Sequence, residues 1–209
     1  MWMSLRTRNR SLMISPCSDL SLRSSRMDII IRAGQELTVE DFEATLDLDR
    51  KIFGNEILTN QGMALKRFLK FKEGLIAAYA ENTLMGFISF FGVAASVYQR
   101  AVFEQEYIDD NLDVREVLPL EKGRPNNILI LDLAVDESFR HQGISKRLHE
   151  ILWNYLRHKH NQGYLIERVF CFAITAEGCQ SMKFLGARAI WSKDNVTLFE
   201  LGNEVFLEH

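Results

Sequence analysis

The stretch that most constrains the fold is an apolar strand followed by a polar turn and an amphipathic helix, NNILILDLAVDESFRHQGISKRL, at residues 126–148. The strand is apolar on both faces, which is typical of a strand in the middle of a sheet. Beyond the turn, apolar residues recur at the spacing of one helix face. They are Ile144, Leu148, Ile151, Leu152, Tyr155 and Leu156. Any fold must therefore place further strands on both sides of this unit.

The elements predicted around this unit alternate in type along the chain. MDIIIRAG predicts a first strand, and Thr38 with Asp41 predicts a capped start for the helix that follows. A second helix over 61–71 precedes two apolar runs around 81–83 that are typical of an antiparallel hairpin. After the central unit, LIERVFCFAIT, AEGCQSMKFLG and NVTLFEL predict a strand, a helix and a last strand. The predicted order is β, α, α, β, β, insertion, β, α, β, α, β.

The insertion, residues 93–125, has patchy helical periodicity and ends in proline and glycine. It is acidic through Glu104, Glu106, Asp109, Asp110, Asp113 and Glu116. A charge run of this kind usually forms a solvated face, and we expect that here.

Composition bounds the class of protein. The chain has 209 residues, of which 47% are hydrophobic and 25% charged, enough for one core and one domain. No apolar run reaches the roughly 20 residues that a membrane-spanning helix needs, so we expect no membrane association. Cys17, Cys171 and Cys179 are too few and too irregularly spaced for a disulfide framework. We therefore expect a cytoplasmic protein.

Both ends of the chain differ from its body. Residues 1–26 are rich in serine and carry five arginines against one aspartate. This segment could be a transit peptide, a nucleic-acid-binding arm, or an artefact of a start codon upstream of Met27, and we favour the last. Residues 207–209 resemble the stub of an expression tag, which leaves 27–206 as the domain. The formal charge of the whole chain is −3, and the body without the basic arm is more acidic still, so we expect no nucleic-acid partner.

The junction between the central strand and its helix carries the chemistry. A helix start leaves backbone N–H groups unpaired and directs the positive end of the helix dipole at whatever lies there. Gly143 allows a phosphate to approach the backbone and permits a positive φ, while Ser145 is small and Arg140 adds positive charge. No G-x-G-x-x-G or G-x-x-x-x-G-K-[ST] motif is present, which argues against a Rossmann or Walker-type site.

LDLAVDESFRHQGISKRL resembles the cofactor-binding motif of the GNAT superfamily of acetyl-CoA-dependent N-acetyltransferases, usually [RQ]-x-x-G-x-[GA]. Arg140, Gly143 and Ser145 fall on the signature positions, and TAEGCQSMKFLGA resembles the second family motif. The resemblance implies an α/β fold of the α+β type. Its central sheet would be mixed and mostly antiparallel, flanked by helices, with central strands that splay apart to form an acyl-CoA cleft.

The resemblance also implies a site for acetyl-CoA, with no metal. Backbone amides at the helix start would hold the pyrophosphate, and the strand residues Leu133, Ala134 and Val135 would pair with the pantetheine arm. An amide near Leu133 or Val135 would polarise the thioester carbonyl. Thr175, where the family often has asparagine, would cap the last helix or meet the cofactor. The residues implied at the helix start are Arg140, His141, Gln142, Gly143, Ile144, Ser145 and Lys146.

Direct attack by an amine needs a proton acceptor, and the thiolate leaving group can use a proton donor. Asp132 lies inside an apolar strand, where a carboxylate should have a raised pKa, so it is a candidate general base. A structural Asp132, bonded to a neighbouring loop, is an equally weighted alternative. The family's usual tyrosine acid is replaced by Met182, whose thioether cannot donate a proton.

Two functions remain open from the sequence. The first is transfer of an acetyl or short acyl group to a primary amine of a small molecule or a protein. By analogy with the family, the acidic insertion at 103–116 would then lie near a cationic acceptor. The second, to which Met182 gives weight, is a non-catalytic module that binds acyl-CoA as a sensor. Exposed hairpin edges are compatible with a homodimer.

Overall fold

The computed structural model describes residues 28–54 and 60–207, so the basic extension predicted at 1–26 lies outside the described residues. Seven strands form one sheet in the order β1-β2-β3-β4-β5-β7-β6. The strands β1 to β7 are Ile29–Ala33, Leu75–Ala80, Thr83–Val93, Pro125–Val135, Leu165–Ala173, Arg188–Lys193 and Val196–Leu201. The helices α1 to α6 are Val39–Phe53, Gln61–Lys70, Ala95–Phe103, Ile144–Asn161, Ala176–Phe184 and Glu204–Leu207.

The predicted central position of β4 is confirmed, as is the mixed, mostly antiparallel sheet flanked by helices. The capping box that starts α1 is also present, with the Thr38 hydroxyl accepting from the Asp41 amide and the Asp41 carboxylate accepting from the Thr38 amide. The prediction of a single strand after α5 is wrong, because β6 and β7 form a hairpin there. β6 is an edge strand in which four of the six residues are exposed and three are polar, so it lacks the apolar pattern that marks a buried strand.

The middle of the sheet contains a gap. β4 pairs with β5 in parallel only from Pro125 to Ile130, whereas β5 continues to Ala173 and pairs with β7 along its other edge. β4 stays paired with β3 as far as Val135. Among the described strands, none pairs with residues 131–135 of β4 on the β5 side. The splayed central strands that the resemblance implied are therefore present.

An irregularity in the β3–β4 ladder sets which face of the sheet Asp132 uses. Ser89 pairs with Asp132, but Phe90 pairs with Ile130, so Leu131 is an extra residue. Because Ser89 and Phe90 point to opposite faces, Ile130 and Asp132 do so too, although they are two residues apart. Without this bulge, Asp132 would lie on the face of Ile130.

Each face of the sheet has its own buried apolar cluster. The larger cluster includes the apolar stripe of α4, with Leu148, Leu152 and Leu156 fully buried. The smaller cluster packs α1 and α2 on the opposite face through Phe42, Phe68 and Phe87. The described helices include none that is long and apolar enough to cross a membrane.

Candidate functional site

A cleft of about 640 Å³ lies where β4 and β5 separate. Its walls are residues 130–135 of β4, residues 171–173 at the end of β5, and the first turns of α4 and α5. The cleft is therefore open to the β4 edge that has no partner strand among the described residues, and it reaches the start of α4.

The first turn of α4 has the backbone geometry of an anion site. Gly143 caps the helix at φ 79°, in the left-handed region, and no described atom lies within 4 Å of where a Cβ would stand on it. His141 also has a positive φ, 63°. Because this turn lines the cleft, the unpaired N–H groups at the start of α4 face the cleft.

The residues predicted to contact the cofactor divide into two groups. Most of them line the cleft, whereas Gln142 and Lys146 are not part of its described wall. The Gln142 amide donates to the Ser138 carbonyl, and the Lys146 ammonium projects into solvent 4.0 Å from Glu150. The predicted residues that line it are Leu133, Ala134, Val135, Arg140, His141, Gly143, Ile144, Ser145 and Thr175.

Two side chains add polar groups to this wall. The Thr175 hydroxyl accepts from the Gly178 amide at 3.0 Å, so the predicted cap of α5 is present. His149, one turn into α4, is buried and its Nδ1 lies 2.9 Å from the Ser145 carbonyl. Burial lowers the pKa of His149, so the ring is neutral, and its Nε2 has no hydrogen-bond partner among the described residues.

A second cavity of about 50 Å³ lies on the other side of β4, beneath α1 and α2. Its wall includes aromatic rings from both helices and from β3. Asp109, Leu131 and Asp132 line both cavities. The bulge at Leu131 therefore marks the place where the two cavities meet.

Asp132 is the central carboxylate of this junction. The Ser89 hydroxyl donates to its Oδ2 at 3.1 Å. Burial raises the pKa of Asp132 well above its ordinary value, and the negative charges of Asp49 and Asp109 raise it further. The raised pKa that the sequence predicted for Asp132 agrees with its buried, acidic environment.

The insertion does not form the solvated face that we expected. After α3, its chain folds back so that Tyr107 and Asp109 line the cleft, and the Tyr107 hydroxyl donates to Asp109 Oδ2 at 2.8 Å. The Tyr107 ring also packs edge-on against Phe172. Burial raises the pKa of the Asp109 carboxyl, and burial with the charge of Asp109 raises that of Tyr107.

Arg67 of α2 holds the insertion in this position. Its guanidinium is buried, 3.1 Å from the Asp110 carboxylate, and it donates to the carbonyls of Asp110 and Leu112. Part of the acidic run is therefore paired with Arg67 inside the protein. Asp109, within the acidic segment 103–116, lies where the two cavities meet.

Met182 is buried on α5, with its sulfur 3.3 Å from the sulfur of Cys171. Both residues line the cleft but offer apolar surface there, and burial raises the pKa of the Cys171 thiol to about 12. Among the described residues of the cleft, the phenol of Tyr107 is the one tyrosine side chain.

Sequence reasoning missed Asp49 of α1 and Ser89 of β3. Asp49 was open to detection, because it falls on the apolar face of α1 at helical spacing with Phe42, Leu46 and Phe53. A carboxylate on a buried helix face needs an explanation. Ser89 gave no comparable signal, since small polar residues are common in strands.

Comparison with known proteins supports the same family. The sequence matches the acetyltransferase (GNAT) family over residues 42–185. No curated protein matches the sequence. The solved structures described next are 11–20% identical to this chain and establish the fold alone.

Three solved structures illustrate the likeness. Arabidopsis thaliana NAA60 in complex with acetyl-CoA is 20% identical, with a TM-score of 0.54 over 83% of this chain and 99% of that one. Arabidopsis thaliana Naa50 in complex with the bisubstrate analogue CoA-Ac-MVNAL is 11% identical, with a TM-score of 0.56 over 83% and 98%. Ard1 from Thermoplasma volcanium is 15% identical, with a TM-score of 0.52 over 82% and 94%.

Proposed function

The chain belongs to the acetyltransferase (GNAT) family, and on that premise we propose that it transfers an acetyl or short acyl group from acetyl-CoA to a primary amine. The observation that carries the proposal is the meeting of two cavities at Asp132. The larger one has the free β4 edge and the α4 helix start, and the smaller one has carboxylates and aromatic rings. One cavity suits acetyl-CoA and the other suits an amine.

The larger cleft fits acetyl-CoA by its chemistry. The open space at Gly143 and the N–H groups of the first turn of α4 suit a pyrophosphate, with the Arg140 guanidinium at the rim. The unpaired edge of β4 at 131–135 offers backbone groups to the amides of a pantetheine arm. Acetyl-CoA supplies an activated acyl carbon whose C–S bond breaks during transfer.

The β4 backbone and Asp132 act on the two reacting partners. An N–H of Leu133 or Val135 that points into the gap donates to the thioester oxygen as negative charge develops on it. The amine nitrogen forms a bond with the acyl carbon and must lose a proton. Asp132 accepts that proton directly or through water, because its raised pKa brings it closer to that of an amine.

Tyr107 takes the place of the proton donor that Met182 cannot supply. Its phenol carries its proton at neutral pH and lines the cleft from which the thiolate leaves. Because the Tyr107 hydroxyl donates to Asp109, the phenolate that remains after the sulfur is protonated regains a proton from the carboxylates, which hold the proton that the amine lost.

A free-thiol release assay with acetyl-CoA and a panel of amines and peptide N-termini tests this proposal. We expect thiol release that depends on both substrates, and a rise in Tm when CoA binds. The replacement of tyrosine by the buried Met182 supports a second function, a sensor that binds acyl-CoA without turnover. A Tm shift with CoA but no turnover on any acceptor would favour the sensor and overturn the transferase.

A further inference from the structure

The smaller cavity contains a carboxylate for which the described residues supply no partner at one oxygen. Asp49 projects from α1 into this cavity and is 6% exposed. Its Oδ1 has no hydrogen-bond partner in the described part of the chain. An unpaired, buried carboxylate oxygen costs stability, so native proteins nearly always give it a donor. A ligand that brings its own donor would remove that cost.

The negative charges around Asp49 are not fully compensated by the nearby arginines, so the cavity can accept one more cation. Asp109 and Asp110 face Asp49 and raise its pKa together with burial, whereas Arg50 lowers it, and the result is about 6. Arg67, the cation in the cavity wall, is already bound to the Asp110 carboxylate and to two carbonyls. At neutral pH the cavity therefore presents negative charge that its own arginine does not neutralise.

The rest of the cavity wall is apolar and aromatic. Phe42 and Phe68 stack at 4.7 Å between ring centroids, and Phe87 and Phe91 project from β3 on the same face as Ser89. Rings of this kind accommodate hydrocarbon and attract the CH₂ groups next to an ammonium. The wall thus combines a site for positive charge with a site for an apolar body.

We propose that this cavity binds the amine end of a compact alkylamine or arylalkylamine that has no carboxylate beside its nitrogen. The ammonium lies among Asp49, Asp109 and Asp132, and the hydrocarbon next to it contacts the phenylalanine rings. An amino acid would bring its own carboxylate into this cluster and is rejected by like-charge repulsion. The inference rests on the proposed function and specifies its acceptor.

Two substrates that differ by one group test the acceptor class on the wild-type protein. 2-Phenylethylamine and phenylalanine share the same ring and amine, and only phenylalanine has the α-carboxylate. We expect kcat/KM for 2-phenylethylamine to be at least about 100-fold higher. Equal values for the two, or a clear preference for a phenylalanine-led tripeptide amide over 2-phenylethylamine, would overturn the inference.

Asp49→Asn tests the carboxylate with the shape preserved. We expect it to raise the KM for 2-phenylethylamine about 10- to 100-fold while the KM for acetyl-CoA stays unchanged. Asp47→Asn is the matched control, because it removes the same charge from the same helix at a site that is 76% exposed and outside the cavity. A normal Tm together with an unchanged amine KM in the Asp49→Asn protein would contradict the proposal.

Calorimetric titration separates failure of this inference from failure of the proposed function. 2-Phenylethylamine should bind in the absence of acetyl-CoA, and more weakly to the Asp49→Asn variant. If the protein acetylates other acceptors but neither binds nor acetylates 2-phenylethylamine, the inference is wrong and the transferase stands. If 2-phenylethylamine binds as expected but no acceptor is acetylated, the cavity is an amine site and the transferase fails.

Discussion

At the scale of single residues, the proposed chemistry depends on carboxylates that the fold keeps away from water. Asp132 has a hydrogen bond from Ser89 and lies near two further carboxylates. Its position costs folding free energy, since burial and like charge both disfavour its ionised form. Such a cost is typical of a functional site.

Asp132→Asn should separate catalysis from binding. Asparagine keeps the shape and the bond from Ser89 but cannot accept a proton from an amine. We expect kcat/KM to fall about 100- to 10,000-fold, as loss of a general base does. The Kd for CoA, measured by calorimetry, should stay within about twofold. If the variant keeps wild-type kcat, Asp132 has only the structural role.

The same substitution should stabilise the protein, and increasingly so at higher pH. A carboxyl group whose pKa is raised on folding contributes stability fully below its unfolded-chain pKa, about 3.9. That contribution is lost as pH rises toward the folded-state value. The excess in Tm of the Asp132→Asn variant over wild type should therefore be larger at pH 8 than at pH 5. A constant difference over this range would contradict the raised pKa.

Tyr107→Phe tests the proton donor. Phenylalanine keeps the ring contact with Phe172 and removes only the hydroxyl that donates to Asp109. We expect kcat to fall about 10- to 1,000-fold. Met182→Leu is the control at the position where the family usually has tyrosine, and it should leave kcat within about threefold. Equal effects of the two variants would exclude Tyr107 as the donor.

At the scale of elements, the unit formed by β4 and α4 places the site. The bulge at Leu131 turns Asp132 to the face of α1 and α2, while the same strand leaves its other edge open toward α4. The bulge at Leu131 thus allows β4 to line two cavities on opposite sides of the sheet.

Gly143→Ala tests the helix start. Alanine at φ 79° is strained by about 1 kcal/mol, and its methyl group enters the space proposed for a phosphate. Gly163→Ala is the matched control, because Gly163 has a similar φ of 91°, equally open space, and a position beyond the other end of α4. Both variants should lose similar Tm, but only Gly143→Ala should weaken CoA binding, about 10-fold or more by calorimetry.

The β4–α4 unit could be predicted from sequence because its signals are local. Apolar runs, helical spacing and Gly143 at a helix start report directly on burial and backbone conformation. The insertion could not, since its placement depends on distant partners, and β6 could not, because an exposed edge strand lacks the apolar pattern of a buried one. The contact of Arg67 with Asp110, which brings Tyr107 and Asp109 to the cleft, joins residues 43 positions apart. A charge run alone cannot show which of its members will be paired inside.

At the scale of the whole molecule, the sheet is a partition between the two cavities. Acetyl-CoA is proposed on the side of α4 and α5, and the amine on the side of α1 and α2. The partition is closed by strand pairing except at the end of β4. The proposed reaction is thereby confined to one place, where Asp132, Asp109 and the open backbone of β4 come together.

Hydrogen–deuterium exchange with and without CoA tests this central claim most directly. The open edge of β4 and the start of α4 should exchange quickly in the free protein. On binding CoA, we predict slower exchange of amides in residues 131–135 and 143–146, with no comparable change at the edge strands β1 and β6. If CoA binds and both of those segments exchange as before, the gap between β4 and β5 is not its site.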